Sequence, residues 1–371
     1  MKKYLLAKFL LFSFIFSFAQ SSLEQFTHLE SKGDIPEDFH LLMKEKIKDE
    51  SAFYLKEFFQ TGNVLYGTVI NEYVNTIADN LLQNDPELRK RIRIYITKST
   101  DVNAFATANG ILFVNLGLIA QATNESELAF IIAHEIVHYA EKHIFQLNDY
   151  KDRTRSKDLV SSYLKYHTRS RETELDADRL ALERYFKNSS YSYSAVDGVF
   201  DILQYDYLPF DEIPFRRGYI ETSFYQFPDN YFLPSLTPIR SREDYIDTLH
   251  THPNLKKRRE NANRIVISQK EDGRKVFVQP EELFGEIKNL VRFECINIYL
   301  TQHEYGDALY NTYILMQEYP NNKFLEKALA SALYGLAKHK QNATLNDVLD
   351  NYKDIEGEKQ QVHHEIGRAH V

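Results

Sequence analysis

Residues 128–143, LAFIIAHEIVHYAEKH, set His134, Glu135 and His138 in a His-Glu-x-x-His arrangement. On a helix, at about 100° per residue, side chains four apart share a face. His134 and His138 can therefore aim two imidazole nitrogens at one metal ion. Glu135 is rotated away from that direction and can instead reach a water held on the metal. Two neutral nitrogen donors beside one carboxylate suit a hydrolytic zinc site. A further carboxylate is the usual third ligand, and residues 170–178, SRETELDAD, supply a candidate at the start of a second helix that runs to about Phe186. Glu174 and Asp178 are four apart and share a face there. Glu174 is the candidate ligand. Asp178, one turn on, can hydrogen-bond the free ring nitrogen of a ligand histidine and fix its tautomer. Glu172 and Asp176 point elsewhere. The alternatives are two core histidines with a carboxylate bonded to backbone, and a solvated acidic helix face.

The elements around these residues must hold them still. Asn124 is a suitable N-cap for the first helix, with Glu127 as its capping-box partner. Leu128, Phe130, Ile131, Ile132, Ile136 and Val137 are apolar almost all round, so this helix is expected to be buried. Polar groups in such a helix are costly unless satisfied. Upstream, residues 39–59 read as a surface-packed helix, and 69–82 as an amphipathic helix broken by Asn84-Asp85-Pro86. Residues 92–96 (IRIYI) alternate and read as a strand. Residues 103–107 are a second strand candidate, Asn109-Gly110 is a turn signal, and 111–114 are a third strand. A small antiparallel sheet is therefore expected ahead of the metal helix. Its strand 103–107 is either an interior strand or an edge, where an extended peptide could add by backbone hydrogen bonds.

The chain has 371 residues, enough for two domains and a substantial core. Its net charge of −8 gives no reason to expect a nucleic-acid partner. The single cysteine, Cys295, excludes an internal disulfide and an all-cysteine zinc site. Lys2, Lys3, the apolar run over 5–18 and Ser17-Phe18-Ala19 read as a secretory signal over residues 1–19. That run is short for a membrane span, although an uncleaved anchor is the alternative. No cysteine follows it to carry a lipid, and no later stretch is long and apolar enough to span. The expectation is an exported, periplasmic protein without an integral membrane span after signal cleavage.

His-Glu-x-x-His followed by Ser-Arg-x-x-Glu-x-x-Ala-Asp resembles the gluzincin metallopeptidases of the CAAX-prenyl endopeptidase and HtpX family. Asn103-Ala104-Phe105 matches the family's upstream Asn-Ala-Phe, His143 its histidine five residues past the second ligand, and Thr251-His252-Pro253 with Arg258 its downstream Thr-His-Pro element. The similarity covers roughly residues 60–260. Pattern and resemblance together point to an α+β fold. A zincin-like metallopeptidase domain, mainly helical with a small antiparallel sheet, would occupy residues 20–265. It would hold one Zn2+ per chain through His134, His138 and Glu174, with Glu135 as general base and Asn103, Ala104 and Phe105 binding substrate. His252 is a candidate oxyanion donor with Arg258 as a supporting charge; it could equally bind zinc as a blocking fourth ligand, or form a structural His-Pro turn.

The flanking transmembrane helices of the membrane-bound family members are absent. The resemblance is thus to the soluble exported type, some of which carry C-terminal tetratricopeptide repeats and take part in quality control of outer-membrane proteins. It implies polypeptide substrates, with outer-membrane proteins or their assembly machinery as partners. The rival function is a chaperone-like binding protein with a silent or structural zinc site; a prenyl-peptide protease would need a membrane chamber. Ten aromatic residues, from Tyr205 to Phe232, crowd a stretch that departs from the family pattern. They form either their own aromatic core or a lid over the cleft. Residues 266–280 read as a connector. Residues 281–364 read as an all-α tetratricopeptide-like region, with Tyr299, Ala308 and Pro320 at repeat positions. The closing EIGRAHV reads as a translated sequencing-library adapter over 365–371, and the expectation is a natural chain truncated near His364.

Overall fold

The computed structural model describes residues 28–29, 50–107, 109–143, 171–240 (except 220, 222, 225, 227, 230 and 231) and 255–368. The expected signal segment, most of the first helix candidate and Thr251-His252-Pro253 lie outside the described residues. The chain divides into two compact units: one of Leu29–Asp206 with Ser241–Lys288, the other of Tyr207–Arg240 with Asn289–Val371 and the N-terminal Met1–His28.

The first unit contains α1 (Glu50–Gln60), α2 (Val69–Leu81), α3 (Pro86–Arg91) and four strands, β1 (Val64–Leu65), β2 (Arg93–Thr97), β3 (Ala104–Ala106) and β4 (Ile111–Asn115). The helices start where local chemistry predicts. Thr68 and Asn71 form a reciprocal capping box at α2. Asp85 accepts from the Leu88 N–H at 3.0 Å, with Pro86 in the first turn, so the Asn84-Asp85-Pro86 break also opens α3.

The sheet order is β1-β2-β4-β3. The fold is α+β as expected, but the sheet is mixed rather than antiparallel. β1 runs antiparallel to β2 and β3 to β4, while β2 and β4 are parallel, with Tyr95 opposite Phe113. The reason is an insertion. The chain goes from β2 out to β3, turns back at Gly110, and places β4 between them. All five residues of β4 are buried, as a central strand requires. Three-residue β3 is left at the edge. Gly110 has φ of +80°, and a Cβ there would lie 2.3 Å from the Arg91 carbonyl oxygen, so the turn needs glycine. One sheet face carries an aromatic cluster that includes Phe58, Phe59, Tyr95, Phe105 and Phe113.

Helices α4 (Leu116–Gln121), α5 (Glu125–Ala140), α6 (Arg171–Leu180), α7 (Val196–Gln204) and α8 (Leu255–Ile267) follow. α6 continues as a π-helix over Ala181–Phe186. α5 packs against β3, α2, α6 and α7. The long α9 (Glu281–Gln302) contains the boundary between units. The second unit then carries α10 (Tyr305–Glu318), α11 (Lys323–Gln341) and α12 (Lys359–Arg368). Ala308 is buried in α10, and Pro320 lies between α10 and α11. The aromatic segment packs within this second unit, where the Phe215 and Tyr219 rings meet Tyr313 at 4.8 and 4.6 Å. No helix among the described residues is long and apolar enough to cross a membrane.

Candidate metal centre

The metal helix α5 is fixed at its start. Asn124 Oδ1 accepts from the Glu127 N–H at 3.0 Å, as expected. The Glu127 carboxylate reaches one residue further back than a capping box would, accepting from the Thr123 N–H and hydroxyl, both at 2.7 Å. Gly198 of α7 leaves room for it: a Cβ there would lie 2.5 Å from Glu127 Oε1. Every residue from Glu125 to His138 is buried. Such a helix has little freedom to turn, so the side chains it aims inward hold their direction.

His134 and His138 emerge on one face of α5, and Glu174 reaches the same point from α6. The two Nε2 atoms are 2.9 Å apart. Glu174 Oε2 lies 3.3 Å from His134 Nε2, and Oε1 lies 3.3 Å from His138 Nε2. All three residues are buried, and their donor atoms form a group able to hold a metal. Tetrahedral ligands at Zn–N distances of about 2.0–2.1 Å stand roughly 3.3 Å apart, which is close to this spacing.

The tautomers agree with that fit. His134 Nδ1 lies 2.8 Å from Asp178 Oδ1, so in the neutral ring the proton belongs on Nδ1 and Nε2 is left as the lone pair a metal would take. That lone pair then faces a carboxylate and a second imidazole nitrogen. Acceptors brought this close call for a cation. The electrostatics point the same way. Burial pulls the His134 pKa down, but the charge of Glu174 and the bond and charge of Asp178 outweigh it and raise it to about 9. The negative field that holds a proton on His134 is the field a divalent cation would use. The residues therefore fit zinc by number, type and spacing of donors.

Arg258 of α8 completes the charge arrangement. It is buried and binds Asp178 through two bonds of 2.7 and 2.8 Å, and its Nη1 lies 3.0 Å from Glu174 Oε2. Burial pulls the Asp178 carboxyl up, but Arg258, then His134, hold it down at about 2. The Arg258 guanidinium thus sits among carboxylates behind the ligands. His252, the expected oxyanion donor, lies outside the described residues.

Glu135 points to the other side of the imidazole pair. Its Oε2 accepts from the Ala106 N–H of β3 at 2.8 Å. β3 thereby orients the candidate base. Next to it a small open pocket is lined by Asn103, Ala104, Phe130, Ile131, Val199 and Leu203, among others. Asn103 and Ala104 thus face the pocket, whereas Phe105 turns into the aromatic cluster, 5.1 Å from the Phe113 ring.

Sequence reasoning missed three contributors. The Ala106 role belongs to a backbone N–H and leaves no mark in side-chain type. Val199 and Leu203 share one face of α7, a four-residue spacing that was available but lies outside every motif singled out in the sequence. The fold-back of His143 onto His138 depends on a backbone turn that no glycine announces.

Residues 69–150 match the model of Peptidase family M48. This stretch is similar to the M48 metallopeptidases. This segment contains β3, α5, His134, Glu135, His138 and His143, while Glu174, Asp178 and Arg258 lie beyond it. Over 92 residues the chain is 30% identical to a beta-barrel assembly-enhancing protease of Yersinia pestis, covering 25% of this chain and 19% of the relative. Over 91 residues it is 29% identical to a putative beta-barrel assembly-enhancing protease of Vibrio cholerae, covering 24% and 19%. It is also 40% identical over 50 residues to the mitochondrial metalloendopeptidase OMA1 of Bos taurus, covering 14% and 10%. The matches span about a fifth of the length of the two bacterial relatives.

Proposed function

We propose that this chain is a zinc-dependent endopeptidase acting on unfolded or misassembled polypeptides. The observation that carries the reading is the meeting of His134, His138 and Glu174 donor atoms at 2.9–3.3 Å, with Glu135 beside them. In this reading His134, His138 and Glu174 hold the ion. Zinc so held supplies Lewis-acid polarisation and a nucleophile at neutral pH. Glu135, oriented by the Ala106 N–H, takes a proton from the attacking water and passes it to the leaving amine. An extended substrate pairs with the outer side of β3, and the pocket beside Glu135 takes an apolar side chain. His252 is the proposed oxyanion donor. Arg258 holds Glu174 and Asp178 in place.

The substrate class follows from the barrel-assembly proteases that the M48 segment is similar to. Envelope proteins that fail to assemble are the proposed targets, with export to the periplasm as part of the same proposal. Residues 20–265 would form the peptidase domain and 281–364 a tetratricopeptide-like helical region.

Purified protein should digest unfolded casein, and a chelator should stop it. Glu135→Gln should bind zinc as the parent does and lose cleavage. Retained turnover in that variant would end the general-base assignment. A zinc-loaded parent that never cleaves would favour a chaperone-like binding role.

A further inference from the structure

We propose that His143 is a positioning residue that selects the metal-ready tautomer of His138, and that the backbone turn at Lys142 delivers it. The inference rests on the zinc reading above. His134 and His138 are supported differently. Asp178 Oδ1 lies 2.8 Å from His134 Nδ1, and its charge favours a proton kept on that nitrogen. At His138 the neighbour is another imidazole: its Nδ1 lies 3.1 Å from His143 Nδ1, with the rings 5.2 Å apart and inclined at 72°.

Two nitrogens at that distance share one proton, and its side decides the chemistry. If His138 donates, its Nε2 carries the lone pair facing Glu174. If His143 donates, the His138 proton moves to Nε2 and occupies the metal-facing direction. The charge of Asp176 on α6, which also pairs with Arg179, biases the choice. Its Oδ2 lies 3.6 Å from His143 Nε2 and favours the tautomer protonated there. His143 Nδ1 is then an acceptor, His138 Nδ1–H donates to it, and His138 Nε2 faces the metal position as a lone pair. The line Asp176–His143–His138 thus does at one remove what Asp178 does directly for His134.

The backbone supports the assignment. α5 ends at Ala140, and the Glu141 N–H bonds the Val137 carbonyl at 2.9 Å. Lys142 then adopts φ of +56°, a left-handed conformation that glycine usually takes at this position. The chain reverses, and His143 is buried against the helix it has just left. A strained non-glycine residue persists where its surroundings require it, and here it returns an imidazole to a ligand.

The test is zinc affinity measured by competition with a chromophoric chelator. The parent, His143→Ala, His143→Asn and Asp176→Asn are compared, and circular dichroism of the metal-free proteins checks the fold. His143→Ala should bind zinc roughly 10- to 100-fold more weakly. His143→Asn places an acceptor oxygen near the Nδ1 position and should recover most of that loss. Asp176→Asn should show a smaller loss. If His143→Ala does not fold, the other two variants carry the test, with Asp176→Asn the weaker binder. Tight zinc binding by the parent with equal affinity in His143→Ala, or equal loss in the alanine and asparagine variants, overturns the proposal and leaves the zinc reading standing. A parent that binds no zinc overturns both.

Discussion

The two units bury polar groups of different kinds. In the first, the polar interior around α5 is ionic: Glu174, Asp178 and Arg258 lie together behind two imidazoles. In the second, part of it is made of tyrosine hydroxyls bonded to backbone, with ion pairs elsewhere in the unit. The Tyr313 hydroxyl donates to the Pro214 carbonyl at 2.7 Å. The Tyr310 hydroxyl donates to the Ile213 carbonyl at 2.8 Å and accepts from its N–H at 3.0 Å. The ionic contacts of this unit include those of Arg292, which binds Asp211 and stacks over Phe210, and of Lys359, which binds Asp307. Burying ions costs more than burying hydroxyls, and ion pairs seldom repay it in stability. A cluster of buried ions therefore marks chemistry, whereas tyrosines tied to a loop mark packing. Within the aromatic segment Phe210 is buried, and Phe215 and Tyr219 pack on Tyr313, whereas Phe224 is exposed.

Removing the central cation should break this contrast most severely. Arg258→Met leaves Asp178 and Glu174 facing each other without their shared partner, which should cost about 3–5 kcal/mol of metal-free stability. Thermal melts with and without zinc would measure it, and added zinc should recover part of the loss by neutralising Glu174. A variant as stable as the parent without metal would show that the ionic interior is not needed for the fold. Asp178→Asn should have a smaller effect, since it keeps shape but loses charge. Its zinc affinity should fall by roughly 10-fold or more, read by chelator competition. Tyr313→Phe should have the smallest. It loses one hydroxyl bond, about 1 kcal/mol in urea unfolding, and zinc affinity should not change. A large effect on zinc binding there would erase the distinction between the units.

Much of the candidate site was legible in the sequence because its signals are local. The four-residue spacings His134–His138 and Glu174–Asp178 depend only on helix geometry, and so does the Asn124 cap. The order of the strands was not legible. Residues 92–96, 103–107 and 111–114 read as strands and β2, β3 and β4 lie there within a residue at each end, but β4 enters between the other two, which a neighbour-by-neighbour reading does not reveal. Arg258 was picked out, but its partners are 80 and 84 residues away, and only packing of α6 on α8 brings them together. The Asn103-Ala104-Phe105 motif marked β3 without telling that Asn103 and Ala104 line the pocket while Phe105 enters the aromatic cluster. The part played by Ala106 is invisible in any side chain.

The central claim is that two helices close on one zinc ion through His134, His138 and Glu174. It is tested most directly by the zinc content of the parent and of Glu174→Ala after the same metal loading and dialysis. The account predicts one zinc per chain in the parent and a nearly empty variant with an unchanged circular dichroism spectrum. A parent without zinc, or a Glu174→Ala protein that keeps a full equivalent, would contradict it.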